Sequence, residues 1–164
     1  MFEIIIGNIG SLLGMALDSY SSTKKTKKEI LLIQNLSLFV YGTSSIFLKG
    51  YSASVQNYVG ILRNTVATKD NSPKWLQWFL VALGVILGLI FNNLAFVGLL
   101  PIIANLEYSI AVFMIKDNEK LLKICFMINV LLFTIFCFYI NNYVGIVTNS
   151  IVVISCLINI LKKK

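Results

Sequence analysis

Two asparagines set within apolar runs are the residues of this chain best placed to do chemistry. Asn57 stands in the stretch KGYSASVQNYVGILRN (49–64), and Asn149 stands 92 residues downstream in NNYVGIVTNSIVVISC (141–156). The two stretches align without a gap. Tyr51 falls on Tyr143, Val55 on Val147 and Asn57 on Asn149, while Gln56 falls on Thr148, Arg63 on Ser155 and Asn64 on Cys156. A carboxamide offers both donors and acceptors, so it can bind a neutral polar solute without the desolvation cost of an ion. Two carboxamides at one depth on equivalent helices would hold such a solute from opposite sides. Gln56, Asn64 and Thr148 are the further candidate contacts, lying beside them at helical spacing. The competing role for each asparagine is a helix–helix hydrogen bond, worth only about 0.6 kcal/mol on average in a membrane.

Charge inside an apolar run needs a partner, because a centred charge costs about 2.5–3.5 kcal/mol on insertion scales. Arg63 and Glu107 count to similar depths along their runs and are expected to form an intramembrane ion pair, with snorkelling to the interface as the other role for Arg63. Asp18, at the end of the first run, reads as solvated. Gln34 and Asn129 read as packing groups, as do the equivalent aromatics Tyr41 and Phe133. Pro101 is the one proline inside an apolar run and is a candidate hinge.

The composition sets the solvent. Hydrophobic residues make up 57% of the chain, charged residues only 13%, and the mean hydropathy is +0.82, which excludes an ordinary soluble domain. The net charge of +7 sits in clusters at the ends of apolar runs, where membrane topology rather than nucleic acid explains it. With no histidine, and with Cys125, Cys137 and Cys156 inside apolar runs, neither a metal site nor a disulfide framework is expected. No nucleophile–base pair, phosphate loop or paired carboxylate is present, so no enzyme activity and no cofactor are expected.

Seven segments are long enough to cross a hydrocarbon core of about 30 Å. They run over 2–20, 30–48, 51–68, 75–91, 94–115, 121–140 and 143–161. The first is expected to be a retained membrane helix, because Glu3 precedes its apolar run and the basic cluster follows it. With seven crossings, 13 of the 14 basic residues share one side and Lys49 stands alone opposite. The positive-inside rule then puts the N-terminus outside and the C-terminus in the cytoplasm. The 92-residue offset divides the chain into a first triple-helix unit (1–70), a linker helix (71–93) and a second unit (94–164). An odd linker makes the two units parallel, related by an axis along the membrane normal. The fold class is therefore an all-α membrane protein of two parallel three-helix repeats.

The runs FLKGYSASVQNYVGILRNTV, LLPIIANLEYSIAVF and YVGIVTNSIVVISCLINI resemble the YgjV-type family of bacterial inner-membrane proteins. The more specific marks are the arginine ending the third segment and the Leu100-Pro101 pair. This resemblance implies an inner-membrane location. The 3+1+3 plan also resembles SWEET and PQ-loop transporters, although the Pro-Gln pair of the latter is absent. The expected function is transport of a small neutral polar solute by alternating access, with the lipid bilayer as surroundings; the alternative is a non-transporting partner-binding or assembly protein.

Overall fold

A computed structural model describes residues 2–69, 72–115, 118–140 and 142–162. Lys116, Asn141, Lys163 and Lys164, which enter the charge and repeat readings above, lie outside the described residues. Seven helices follow one another: α1 (Phe2–Ser22), α2 (Lys27–Phe47), α3 (Tyr51–Ala67), α4 (Lys74–Ile90), α5 (Leu99–Met114), α6 (Glu119–Tyr139) and α7 (Tyr143–Leu161). By length and composition α2, α6 and α7 can cross a membrane; α4 and α5 are apolar but shorter.

Local chemistry sets the helix boundaries. Thr26 accepts from the Glu29 backbone N–H at 3.3 Å, Asn118 from Leu121 at 3.0 Å and Asn142 from Gly145 at 2.8 Å, each filling an otherwise orphan donor of a first turn. Between α2 and α3 the chain reverses within three residues, with Lys49 in the left-handed region at φ 58°. The fifth helix begins at Leu99 rather than 94. This corrects the hinge expectation, because Pro101 then lies in the first turn, where an N–H has no intrahelical partner to lose.

Six helices close into a ring. In order around it, α1 packs on α2, α2 on α3, α3 on α5, α5 on α6, α6 on α7 and α7 back on α1, while α4 lies outside against α3 and α5. The ends of the bundle follow from contacts between connections. At one end Asn93 donates to the Lys49 carbonyl at 2.8 Å, and Gly50 abuts the Phe136 ring. At the other, Lys27 Nζ donates to the Ile115 carbonyl at 2.8 Å, Lys123 Nζ to the Lys24 carbonyl at 3.0 Å, and Asn159 to Ser22 at 3.2 Å. So α1, α5 and α7 end where α2 and α6 begin. Near this lysine-rich end the interior is apolar, a cluster that includes Leu31, Val112, Leu122, Val152 and Cys156. The outer surface is apolar as well, with Leu12, Phe39, Trp75, Ile90 and Phe138 all about half exposed or more.

Candidate functional site

Polar side chains are concentrated inside the ring instead of on its surface. They line a cavity of about 80 Å³ that extends from Leu48, Ile140 and Asn142 at one end of the bundle to Asp18, Gln34, Arg63 and Tyr108 above the apolar cluster. One ordered water needs roughly 10–15 Å³ of such space, so the cavity has room for several waters or one small solute.

Helical spacing explains which residues reach it. On α2 and its C-cap the lining positions are Gln34, Ser37, Leu38, Tyr41, Ser44, Ser45 and Leu48, a stripe at steps of three and four along one face. On α6 they are Phe126, Asn129, Val130, Phe133, Phe136, Cys137 and Ile140. Each of these seven stands 92 residues after its α2 counterpart. Ala53 with Gly145, and Asn57 with Asn149, repeat the relation between α3 and α7. Close approach of α1 lets Tyr41 turn inward, since a Cβ at Gly14 would lie 2.5 Å from its ring.

Asn57 and Asn149 therefore open onto one cavity, at 6% and 8% exposure. Asn57 has no hydrogen-bond partner among the described residues, and Asn149 Nδ2 has only Cys137 Sγ at 3.9 Å. Gln56 joins them. Asn64 and Thr148 do not: both are fully buried against their own surroundings, Asn64 accepting from Arg63 and Thr148 lying 3.1 Å from the Gly145 carbonyl.

Arg63 does not pair with Glu107, and it does not snorkel. It is 2% exposed, and its Nε donates to Asn64 Oδ1 at 2.9 Å while Nη1 donates to Asn105 Oδ1 at 2.6 Å and Ser109 at 3.2 Å. The guanidinium carbon stands 4.8 Å from the Tyr108 ring centroid. Asn105, Tyr108 and Ser109 share the inner face of α5; Glu107, two residues after Asn105, is turned roughly 200° from Asn105 around the helix and makes no direct contact with the guanidinium. The chain of contacts continues in both directions. Asn105 Nδ2 donates to Gln56 Oε1 at 2.6 Å and Gln56 Nε2 to the Gly84 carbonyl at 2.8 Å; Tyr108 donates to Gln34 Oε1 at 2.9 Å. Gln56 reaches α4 because Gly88 has no Cβ, which would collide with its Nε2.

Asp18 is the principal residue that the sequence reading misplaced. It is buried at 6% exposure, lines the cavity, and accepts a hydrogen bond from Ser37. Gln34 and Asn129 also face the cavity, with Tyr41 and Phe133 beside them. Gln34 Nε2 and Tyr41 Oη are buried without a partner among the described residues. Orphaned polar atoms of this kind are costly unless a water or ligand meets them.

A family model for bacterial inner membrane proteins, Imp-YgjV, matches residues 5–164. The chain belongs to that family. No curated protein and no solved structure matches the chain. For an Imp-YgjV inner-membrane protein the apolar outer surface faces lipid. The cavity groups are then polar atoms held within a bilayer, where ionisable side chains mark function more often than packing.

Proposed function

We propose that the chain crosses the membrane seven times as two parallel three-helix units and carries a small, net-neutral polar solute by alternating access. The observation that carries this reading is the cavity wall, in which nine residues between Gln34 and Asn57 stand 92 positions before nine between Phe126 and Asn149. The ring supports it too: exchanging α1, α2 and α3 for α5, α6 and α7 turns each of its packing pairs into another pair of the same ring. A site shared by two like units can be exposed to either side by rocking one against the other. In the conformation described, the apolar cluster seals the cavity from the lysine-rich end, and one lysine from each unit, Lys27 and Lys123, reaches across to a backbone carbonyl of the other. The positive-inside rule makes that end cytoplasmic.

The deciding experiment is flux into proteoliposomes containing the full chain, with a panel of small net-neutral polar solutes. Saturable, time-dependent accumulation of at least one of them is expected. Rates equal to protein-free vesicles across the panel would overturn the reading. The topology is tested separately by a C-terminal reporter active only outside the cytoplasm, which is expected to stay silent.

A further inference from the structure

We infer that the solute is a small zwitterion, an amino acid whose carboxylate is met by Arg63 and whose ammonium group is met by Asp18. This deepens the transport reading and rests on it. Both side chains line the same cavity and both are buried, at 2% and 6% exposure, yet no hydrogen bond or ion pair joins them among the described residues. The guanidinium has five N–H donors. Its contacts with Asn64, Asn105 and Ser109 occupy Nε and Nη1, and Nη2 has no acceptor among the described residues. On Asp18, Oδ1 takes the Ser37 hydroxyl, while Oδ2 has no donor among the described residues.

A buried cation and a buried acid, each with open hydrogen-bonding capacity and neither satisfied by the other, set the requirement. Water in so small a space solvates an ion poorly. A solute with a single charge would balance one group and leave the other exposed to the same cost, and an uncharged solute could hydrogen-bond to both but would balance neither charge. A zwitterion answers both and remains net neutral, so its entry adds no charge to the bilayer interior. Gln34 Nε2, buried and unpartnered, supplies two further donors beside Tyr108 and hence near Arg63, which also favours a carboxylate. Asn57 and Asn149 then hold the rest of the molecule from the two walls.

The test uses the purified full chain in nanodiscs, with binding read by competition against a radiolabelled amino acid. The probes are glycine, alanine, β-alanine and 4-aminobutyrate, compared with acetate and propionate, with ethylamine, and with the uncharged acetamide and glycerol. One or more amino acids is expected to bind about 10- to 100-fold more tightly than any singly charged or uncharged probe of similar size, the range given by one charged hydrogen bond. Asp18→Asn keeps the shape and an acceptor for Ser37. It should weaken amino-acid binding by a similar factor and leave propionate unchanged or improved. Equal affinity of wild type for glycerol or acetamide and for every amino acid would overturn the assignment, as would unchanged amino-acid binding in Asp18→Asn. If that variant does not fold, the wild-type panel decides alone. Flux of an uncharged solute without amino-acid binding would sink this inference while leaving transport standing; no flux of either class would sink both.

Discussion

The helices α3 and α7 are equivalent by sequence offset, and they are buried alike in one respect and differently in another. Every buried position of α7, namely Gly145, Thr148, Asn149, Val152 and Cys156, falls on a buried position of α3: Ala53, Gln56, Asn57, Gly60 and Asn64. The reverse does not hold. Ser52, Ser54, Val59 and Arg63 are also buried on α3, while their counterparts on α7 are half-buried or exposed. The difference traces to packing, since α3 lies against α2, α5 and α4, whereas α7 packs mainly against α6 and α1 among the described residues. Of the extra positions, Val59 lies against Gly84 of α4 and Arg63 against α5, while Ser54 donates to the Gly42 carbonyl of α2 at 2.9 Å. A guanidinium can be kept inside a membrane where enough acceptors surround it, and that is the α3–α5 contact. The matching α7–α1 contact has only hydroxyls and an amide, with Ser155 at 3.4 Å from Ser19 and Asn159 at 3.2 Å from Ser22.

The largest test of this contrast removes the acceptor that joins the two sides of the α3–α5 contact. Asn105→Leu would deprive Arg63 of its shortest hydrogen bond and strand Gln56 Oε1, both within 5% exposure or less. Losing a charged and a neutral hydrogen bond together should cost about 2–4 kcal/mol of stability in detergent. On the α7 side, Ser155→Ala removes only a long contact to Ser19 and should cost less than about 1 kcal/mol. Similar unfolding midpoints for the two variants would show that the α3–α5 network has no special weight. Next in size is Gly88→Leu on α4, whose side chain meets Gln56 and Ile102. Overpacking of this kind typically costs about 1–3 kcal/mol, and it should appear as lowered stability of the α3–α4 contact. A Gly88→Leu, Gln56→Ala double variant is expected to lose less stability than the sum of the two single variants, and strict additivity would place the strain elsewhere.

Much of this arrangement is legible in the residues alone. The helices fall within a few residues of the apolar runs, except that α5 starts five residues late, because the segment before Leu99 is taken up by turns and a left-handed Ala95. The gapless match of Tyr51, Val55 and Asn57 to Tyr143, Val147 and Asn149 leads to the two carboxamides. The rest of the cavity wall is written in the same offset, through Ser37 with Asn129 and Tyr41 with Phe133, and in a polar stripe on α2 at steps of three and four. Taken singly, each of these residues reads as a packing group, because a lone polar side chain in an apolar run has many possible partners. Asp18 is hidden in the sequence for a different reason. Position near a helix end suggests solvent, and only the closure of the ring, which brings α2 and its Ser37 against α1, puts that carboxyl inside. The partners of Arg63 were equally hidden. Glu107 answers its charge in sequence, but the turn of α5 presents Asn105 and Ser109 instead.

A third comparison uses the positions at which α3 and α7 agree. Asn57 and Asn149 face one cavity, and neither has a strong partner among the described residues. Asn57→Leu and Asn149→Leu should each weaken solute binding by roughly 5- to 150-fold, the cost of about 1–3 kcal/mol for one unsatisfied group. Stability should change by less than about 0.5 kcal/mol, because little is lost inside the protein. The opposite pattern, easy unfolding with normal binding, would return both residues to packing.

The smallest effect expected concerns the lysine-rich end, where the two units reach across to each other. Lys123 is 5% exposed and donates to the carbonyl of Lys24; Lys27 does the same to Ile115 from the other unit. These contacts lie just beyond the apolar seal, so each one lost should favour states in which the seal is parted. One hydrogen bond contributes about 0.5–1.5 kcal/mol net, which corresponds to a roughly 2- to 10-fold rise in the open population. Cys156 reports on this directly, being part of the seal and fully buried. With Cys125 and Cys137 replaced by Ser, a membrane-impermeant thiol reagent applied from the lysine-rich side should label Cys156 about 2- to 10-fold faster in Lys123→Met than in the parent. Lys120→Met, at an exposed position of the same helix, should leave the rate unchanged. Equal rates for both variants would mean that the crossing lysine does not hold the seal. A rate that rises together with loss of global stability would assign the labelling to unfolding instead of to opening at this end.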